Sequence, residues 1–222
     1  MTLTLYYHPL SQPSRTLLIF LHLTGIKHEK KVIDLIKGEH KTPEYSKVNP
    51  LQVIPAIQDG DFCLGESEAI VKYLMNTRKV GSMYYPTHPK DRALVDKYMP
   101  FHHSTFRPKL AKYFVASLSN ILPNENLNKE EIRNEFENAC KTFEEVFLSK
   151  SNYIADDILT IADLFAINEL TQIYFTTDYD FEKFPLIQAY IKRCLQNPVI
   201  NEVNLAVKEY GESKKQKGLN KQ

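Results

Sequence analysis

Leu10-Ser11-Gln12-Pro13-Ser14-Arg15 follows a short alternating run over 3–7 and precedes a longer segment in which Leu17, Leu18 and Leu21 share one face. The first run has the two-residue period of a strand and the second the period of an amphipathic helix, so the quoted stretch is where a strand feeds a helix. Ser11 is of the residue type that starts helices by bonding a free backbone amide. A second strand pattern follows at 28–32, which makes the opening a βαβ unit.

Further along, 51–55 leads into a strand over 56–58, Asp59-Gly60-Asp61 supplies turn chemistry, and 62–64 returns as the second arm of a hairpin. A helix over about 67–78 closes the unit, with Ile70, Val71, Leu74 and Met75 on one side. The order βαβ, loop, ββα is that of a thioredoxin-like domain, here residues 1–79. Residues 80–89 mix Gly, Pro and polar types without helical period and read as a linker. From 90 to 222 no strand pairs are visible. Helical periods run over about 90–118, 128–147, 160–173, 185–197 and 199–210, so the second domain is expected to be all helical. The fold class is therefore α/β plus all-α. Thr160-Ile161-Ala162-Asp163 has the spacing of a capping box, which is a folding signal, and Pro185 and Pro198 stand where helices start. Pro100 and Pro108 fall inside the long first helix, where each costs ~3 kcal/mol and tends to kink the axis.

Composition excludes several classes of function. The 222 residues are 43% hydrophobic and 25% charged, an ordinary balance for a globular protein. With 28 Lys and Arg against 27 Asp and Glu, there is no global field to attract nucleic acid or an anionic membrane. The local excess at Lys214-Lys215-Gln216-Lys217 reads as a solvated end. No run reaches the roughly 18 apolar residues needed to span a bilayer, and the N-terminus lacks the basic and apolar regions of a signal peptide. Cys63, Cys140 and Cys194 are odd in number and widely spaced, which fits a reducing compartment. Cytoplasmic residence is the expectation.

Three stretches carry chemistry: Ser11-Gln12-Pro13-x-Arg15, Val53-Ile54-Pro55-Ala56, and Gly65-Glu66-Ser67-Glu68. With Lys37-Gly38-Glu39-His40 they resemble the glutathione-binding half of the cytosolic glutathione transferases, and within that family they are most similar to the theta class. The likeness is strong over 1–75, moderate over 90–115, and weaker beyond except at 160–163.

The resemblance implies that Ser11 donates a hydrogen bond to the sulfur of glutathione and favours its thiolate. It implies a cis bond before Pro55, so that Ile54 exchanges backbone hydrogen bonds with the cysteinyl unit. Ser67 and its helix end would receive the γ-glutamyl carboxylate, and Glu66 the ammonium. His40 would meet the glycyl carboxylate, with Gln52 assisting. Val53 stands where the theta pattern carries a lysine, which weakens the expected grip there. Arg107 matches a residue that reaches toward the glutathione site from the second domain. Read alone, Ser11 and Ser67 are helix-start residues, His40 a solvated loop histidine and Arg107 a surface arginine. Tyr6 and Tyr7 are rivals to Ser11, because other classes use a tyrosine at the end of the first strand. Only one of the two can face the site, and the Ser-Gln-Pro-x-Arg pattern favours Ser11.

The family implies glutathione as cosubstrate with no other cofactor, a small apolar electrophile, and a homodimer. No metal is expected: His102 and His103 are adjacent and diverge by about 100° on a helix. The activity implied is attack of glutathione thiolate on a small electrophile by addition or by displacement of halide or sulfate, as in detoxification. A noncatalytic glutathione-fold module and a glutathione-dependent isomerase or dehalogenase are the alternatives. Because theta relatives often extend past this length with a helix over the active site, a more open electrophile pocket is expected, with a polar tail after Tyr210.

Overall fold

The computed structural model describes residues 2–78, 80, 82–118 and 128–216, and Lys217 of the basic stretch lies outside them. The chain divides into two compact units, Met1–Gly81 and Ser82–Gln222.

In the first unit β1 (Leu3–Tyr7) leads through a tight turn into α1 (Gln12–Thr24), and β2 (His28–Val32) follows. Both ends of α1 are set locally. Ser11 caps its start, with Pro13 in the first turn, and Gly25 ends it in the left-handed conformation at φ 66°. The Ile26 amide then reaches back to the Leu21 carbonyl, completing a Schellman-type stop. Next come a 3₁₀ turn at Glu39–Lys41, α2 (Pro43–Val48), β3 (Ala56–Asp59), β4 (Phe62–Leu64) and α3 (Ser67–Thr77). The 3₁₀ turn and α2 occupy the part that the sequence pattern leaves as a loop. Gly60, at φ 65°, makes the hairpin turn between β3 and β4.

The four strands form one sheet in the order β2-β1-β3-β4. β1 runs parallel to β2 and antiparallel to β3, while β3 and β4 form the hairpin. Leu3 and Leu5 of β1 are buried, as are Leu17 and Phe20 of α1 and Ile70, Val71 and Leu74 of α3. Tyr6, Ile33, Tyr45 and Ala56 make a second apolar cluster, against which Val48 and Ile54 pack.

The second unit is helical: α4 (Pro89–Phe101), α5 (Arg107–Ser117), α6 (Lys129–Phe143), α7 (Ile161–Thr176), α8 (Pro185–Leu195) and α9 (Pro198–Gln216). A π-helical turn, His102–Phe106, joins α4 to α5, and a second, Glu144–Leu148, follows α6. The first lies between the two interior prolines. Pro108 has no amide to donate, and the Arg107 amide just before it bonds the His102 carbonyl five residues back. A change of winding thus accommodates backbone groups that prolines leave unpaired in an ordinary helix.

α7 is buried nearly all round, as its continuous apolar pattern requires, and α4, α5, α8 and α9 pack on it. Its start is the expected capping box, in which the Asp163 carboxylate accepts the Thr160 amide at 2.8 Å and the Thr160 hydroxyl at 2.9 Å. Burial pushes the Asp163 carboxyl up to about 6.

One expectation fails at the C-terminal end. α9 continues past Tyr210 to Gln216, and Lys214 is 3% exposed rather than solvated. Its ammonium donates to the carbonyl of Thr176, the last residue of α7, at 3.3 Å, where a helix end favours a cation. Gly211 makes that approach possible, because a side chain there would collide with the Phe175 carbonyl. No helix among the described residues is long and apolar enough to cross a membrane.

Candidate functional site

Strand pairing brings the candidate segments of the first unit to one edge of its sheet. Tyr7 pairs with Val32, Tyr6 with Ala56, and Ile57 with Leu64. The turn carrying Ser11, the segment carrying His40, the bend before β3, and the β4–α3 junction with Glu66 and Ser67 all leave the sheet at that edge. Side chains more than fifty residues apart in sequence are thereby gathered.

At the first segment, the Ser11 amide donates to the His8 carbonyl at 3.0 Å, closing a β-turn with Pro9 in its second position. The Ser11 hydroxyl oxygen accepts the Ser14 amide at 3.4 Å. Capping uses an oxygen lone pair, whereas the hydroxyl proton remains to be given to an acceptor. Arg15 is fully buried, and its guanidinium donates to the Pro9 carbonyl at 3.5 Å. That contact accounts for the spacing of serine and arginine: the arginine, one helical turn on, holds the turn that carries the serine.

The Ile54–Pro55 peptide bond is cis. The ladder between β1 and β3 ends at Tyr6 and Ala56, so the Ile54 backbone lies beyond it. Just before it, the Val53 carbonyl is gripped by the Tyr45 hydroxyl at 2.8 Å and by the Asn49 side-chain amide at 2.7 Å, while the Val53 side chain is half exposed. Asn49 is itself buried and also packs against Gly65, so it ties the bend before β3 to the start of α3. Gln52 has φ 56°, and its side-chain amide donates to the Ser46 hydroxyl at 2.7 Å. The Gln52 carbonyl accepts the Lys41 ammonium at 3.3 Å. Lys41 thus brings a cation to the neighbourhood of Val53, the position where a lysine was expected and is absent. Next to it, His40 has a buried Nδ1 with no hydrogen-bond partner among the described residues.

Glu66 is exposed and held at φ 61° and ψ 107°, immediately before α3. A side-chain-bearing residue at such a φ costs about 1–3 kcal/mol, and such residues gather at ligand sites. Gln52 and Glu66 are two of the three residues other than glycine with positive φ among those described. Ser67 is the first residue of α3 and is 8% exposed. Free backbone amides and the positive end of the helix make that position receptive to a carboxylate.

Of the two rival tyrosines, Tyr6 is otherwise engaged, while Tyr7 ends β1 partly buried. Tyr6 is buried in the apolar cluster, packs edge-on against Tyr45, and donates its hydroxyl to Gln58 Oε1 at 2.9 Å. Burial raises its ionisation above the usual phenol range. Burial also pushes up the thiols of Cys63, Cys140 and Cys194, so none of them is poised as a thiolate. Arg107, in the second unit, forms an ion pair with the buried Glu169 of α7. His102 lies buried in the π turn with Nδ1 at 3.0 Å from the Tyr98 hydroxyl, and burial keeps its imidazole neutral. Sequence reasoning missed Lys41 and Asn49. Lys41 adjoins His40 in the chain, which was a signal; nothing in the pattern marked Asn49.

Comparison with known proteins gives matches over both units. The model for the glutathione S-transferase N-terminal domain matches residues 1–76, and that for the C-terminal domain matches residues 94–198. The chain is 35% identical over 174 residues to human glutathione S-transferase theta-1, covering 77% of this chain and 72% of that protein. The apo form of human glutathione-S-transferase T1-1 superposes with a TM-score of 0.88 at 29% identity, over 95% of this chain and 91% of that one. A human theta-class transferase in complex with the glutathione conjugate of 1-menaphthyl sulfate gives 0.85 at 30% identity, over 99% and 93%.

Proposed function

This chain belongs to the glutathione S-transferase family, in its theta class, and on that premise we propose that Ser11 holds the sulfur of bound glutathione as a thiolate for attack on a small electrophile. The protein is a glutathione transferase. The observation that carries the assignment of Ser11 is its hydroxyl at the start of α1, accepting from the helix while keeping its proton to donate.

The energetics suffice without a general base. A free thiol with pKa ~8.5 is only a few per cent ionised at neutral pH, and lowering it by about two units takes roughly 2.7 kcal/mol. A hydrogen bond to a charged group supplies about 1.5–3 kcal/mol, and the positive end of α1 adds about 0.3–1 kcal/mol. The thiolate then forms a carbon–sulfur bond while halide or sulfate leaves with the bonding pair, or it adds to an activated double bond that later takes a proton from water. Positioning and stabilised charge do the work. The theta-class relative holding a glutathione conjugate of a sulfate ester supports displacement of sulfate as one of these reactions.

Glutathione lies, in this reading, with its γ-glutamyl carboxylate on Ser67 and the first turn of α3 and its ammonium on Glu66. Its cysteinyl backbone pairs with Ile54, whose direction the cis bond to Pro55 sets. The glycyl carboxylate meets His40 and Lys41 beside Gln52 and Val53; support comes from the Nδ1 of His40, which has no partner among the described residues, and from the Lys41 ammonium at the Gln52 carbonyl. Arg107 is assigned to the electrophile side on family likeness. The same reading gives a cytoplasmic homodimer that detoxifies small apolar electrophiles, and a light-scattering mass of a monomer at micromolar concentration would overturn the dimer.

Ultraviolet titration of the bound thiol tests Ser11. The Ser11→Ala protein should bind glutathione nearly as well, turn over more slowly and show a raised thiol pKa. An unchanged pKa refutes the assignment.

A further inference from the structure

We propose that His8 is a positioning residue for the Ser11 hydroxyl and that it acts only while its Nδ1 is free of a proton. The proposal rests on the assignment of Ser11 made above. Three hydrogen bonds converge on His8. Its carbonyl accepts the Ser11 amide at 3.0 Å, its Nδ1 accepts the Leu10 amide at 3.2 Å, and its own amide donates to Ser14 Oγ at 3.4 Å. Ser14 is fully buried and its amide caps onto Ser11 Oγ. His8 therefore holds Ser11 from two sides, at the amide directly and at the hydroxyl through Ser14.

The contact with Leu10 fixes the state of the ring. A nitrogen that accepts a backbone amide must present its lone pair, so the neutral imidazole carries its proton on Nε2. Protonating Nδ1 turns the acceptor into a donor facing another donor. The Leu10 amide loses its partner, and the turn that carries Ser11 loses one of its ties.

Several charges act on this ring. Asp34, on the segment after β2, favours protonation, although it is shared with Lys37 and its amide is held by Glu39. Arg15 is bonded to the same turn at Pro9, and α1 starts at Gln12. Burial is the largest influence and lowers the imidazole below the usual histidine range. At neutral pH the acceptor is in place.

Asparagine separates position from titration, because its side-chain oxygen accepts the amide two residues on in an Asx-turn and has no proton to gain. The experiment measures log(kcat/KM) for an alkyl halide at saturating glutathione against pH, which reads ionisations of the glutathione complex, together with the bound-thiol pKa by ultraviolet titration. In the unaltered protein the acid limb exceeds the slope of one set by the thiol, reaching about 1.5 while Nδ1 gains its proton, because that proton costs the same roughly tenfold as losing the Leu10 bond. His8→Asn keeps the thiol pKa and reduces the slope to about one. His8→Ala raises the thiol pKa and lowers kcat/KM at neutral pH by about tenfold, as expected for one lost backbone hydrogen bond. An acid limb that stays as steep in His8→Asn as in the unaltered protein overturns the proposal, and this variant keeps it testable even where His8→Ala folds poorly. Ser11→Ala measured alongside separates the two failures. If it raises the thiol pKa and His8→Ala does not, His8 alone is misassigned. If Ser11→Ala also leaves the thiol unchanged, the Ser11 assignment falls first.

Discussion

Replacing Asp163 by asparagine tests which of two opposing effects governs the buried start of α7. The carboxylate accepts the Ile154 amide at 2.9 Å and the Tyr190 hydroxyl at 3.0 Å on one oxygen, and the Thr160 amide and hydroxyl on the other. An asparagine keeps one acceptor oxygen but turns two amide hydrogens toward the other pair. Hydroxyls can rotate to accept them; the backbone amide of Ile154 or of Thr160 cannot. Either orientation leaves one buried amide unpaired, at about 1–3 kcal/mol, and weakens a cap worth about 0.5–2 kcal/mol. The pH dependence is the sharper test. The Asp163 carboxyl is raised from 3.8 to about 6, so the folded state holds a proton that the unfolded chain has released. Its contribution to stability is fully present below the unfolded value and is lost as pH rises through about 6. Between about pH 5 and about pH 7.5 that loss is on the order of 1 kcal/mol. Urea unfolding of both proteins across this range should therefore show the cost of Asp163→Asn shrinking as pH rises. A cost that grows with pH would mean that the four donors outweigh burial and that the ionised carboxylate is the favoured form.

Gly211→Ala should destabilise the protein by about 2 kcal/mol, a fall in Tm of about 4–8 °C, because overpacking against the Phe175 carbonyl outweighs the better helix propensity of alanine. A Tm equal to or above that of the unaltered protein would show that α9 does not approach α7 as described. Lys41→Met should raise KM for glutathione about two- to fivefold while leaving kcat nearly unchanged, since a contact at the glycyl end is the same in ground and transition states. Loss of kcat at constant KM would remove Lys41 from the glutathione grip.

The architecture was legible where burial and period agree. The strand at β1, the one-sided face of α3 and the capping box at Thr160 each appear as read, because a single local rule decides each of them. The misreadings arose where a residue has two structural uses. The helical period in the sequence runs to Tyr210, with a polar tail expected after it that includes Gly211 and a solvated Lys214. In the fold the glycine instead lets α9 touch the end of α7, and the lysine caps Thr176. A glycine that ends a helix and one that lets another backbone approach have the same sequence, and only the neighbour tells them apart. Pro100 and Pro108 are similar: propensity marks both as helix breakers, while the π turn between them depends on how the backbone rewinds.

At the candidate site the division follows chemistry. Ser11, Pro55, Glu66 and Ser67 stand out in the sequence because each brings something peculiar to its residue type at the end of an element: a hydroxyl, a restrained ring, a carboxylate, a cap. Lys41, Asn49 and His8 were not read, because each contributes through the backbone of another residue. Lys41 reaches the carbonyl of Gln52, Asn49 that of Val53, and His8 the amides of Leu10 and Ser11. Backbone amides and carbonyls are the same at every position, so such contacts leave little trace in residue types. This distinction also sets what substitution should do. At Ser11, on the proposed assignment, the donated proton is the function, and alanine would remove it. At His8 the requirement is an acceptor within reach of Leu10, which asparagine also meets, so its replacement should preserve thiolate formation and change only how that formation depends on pH.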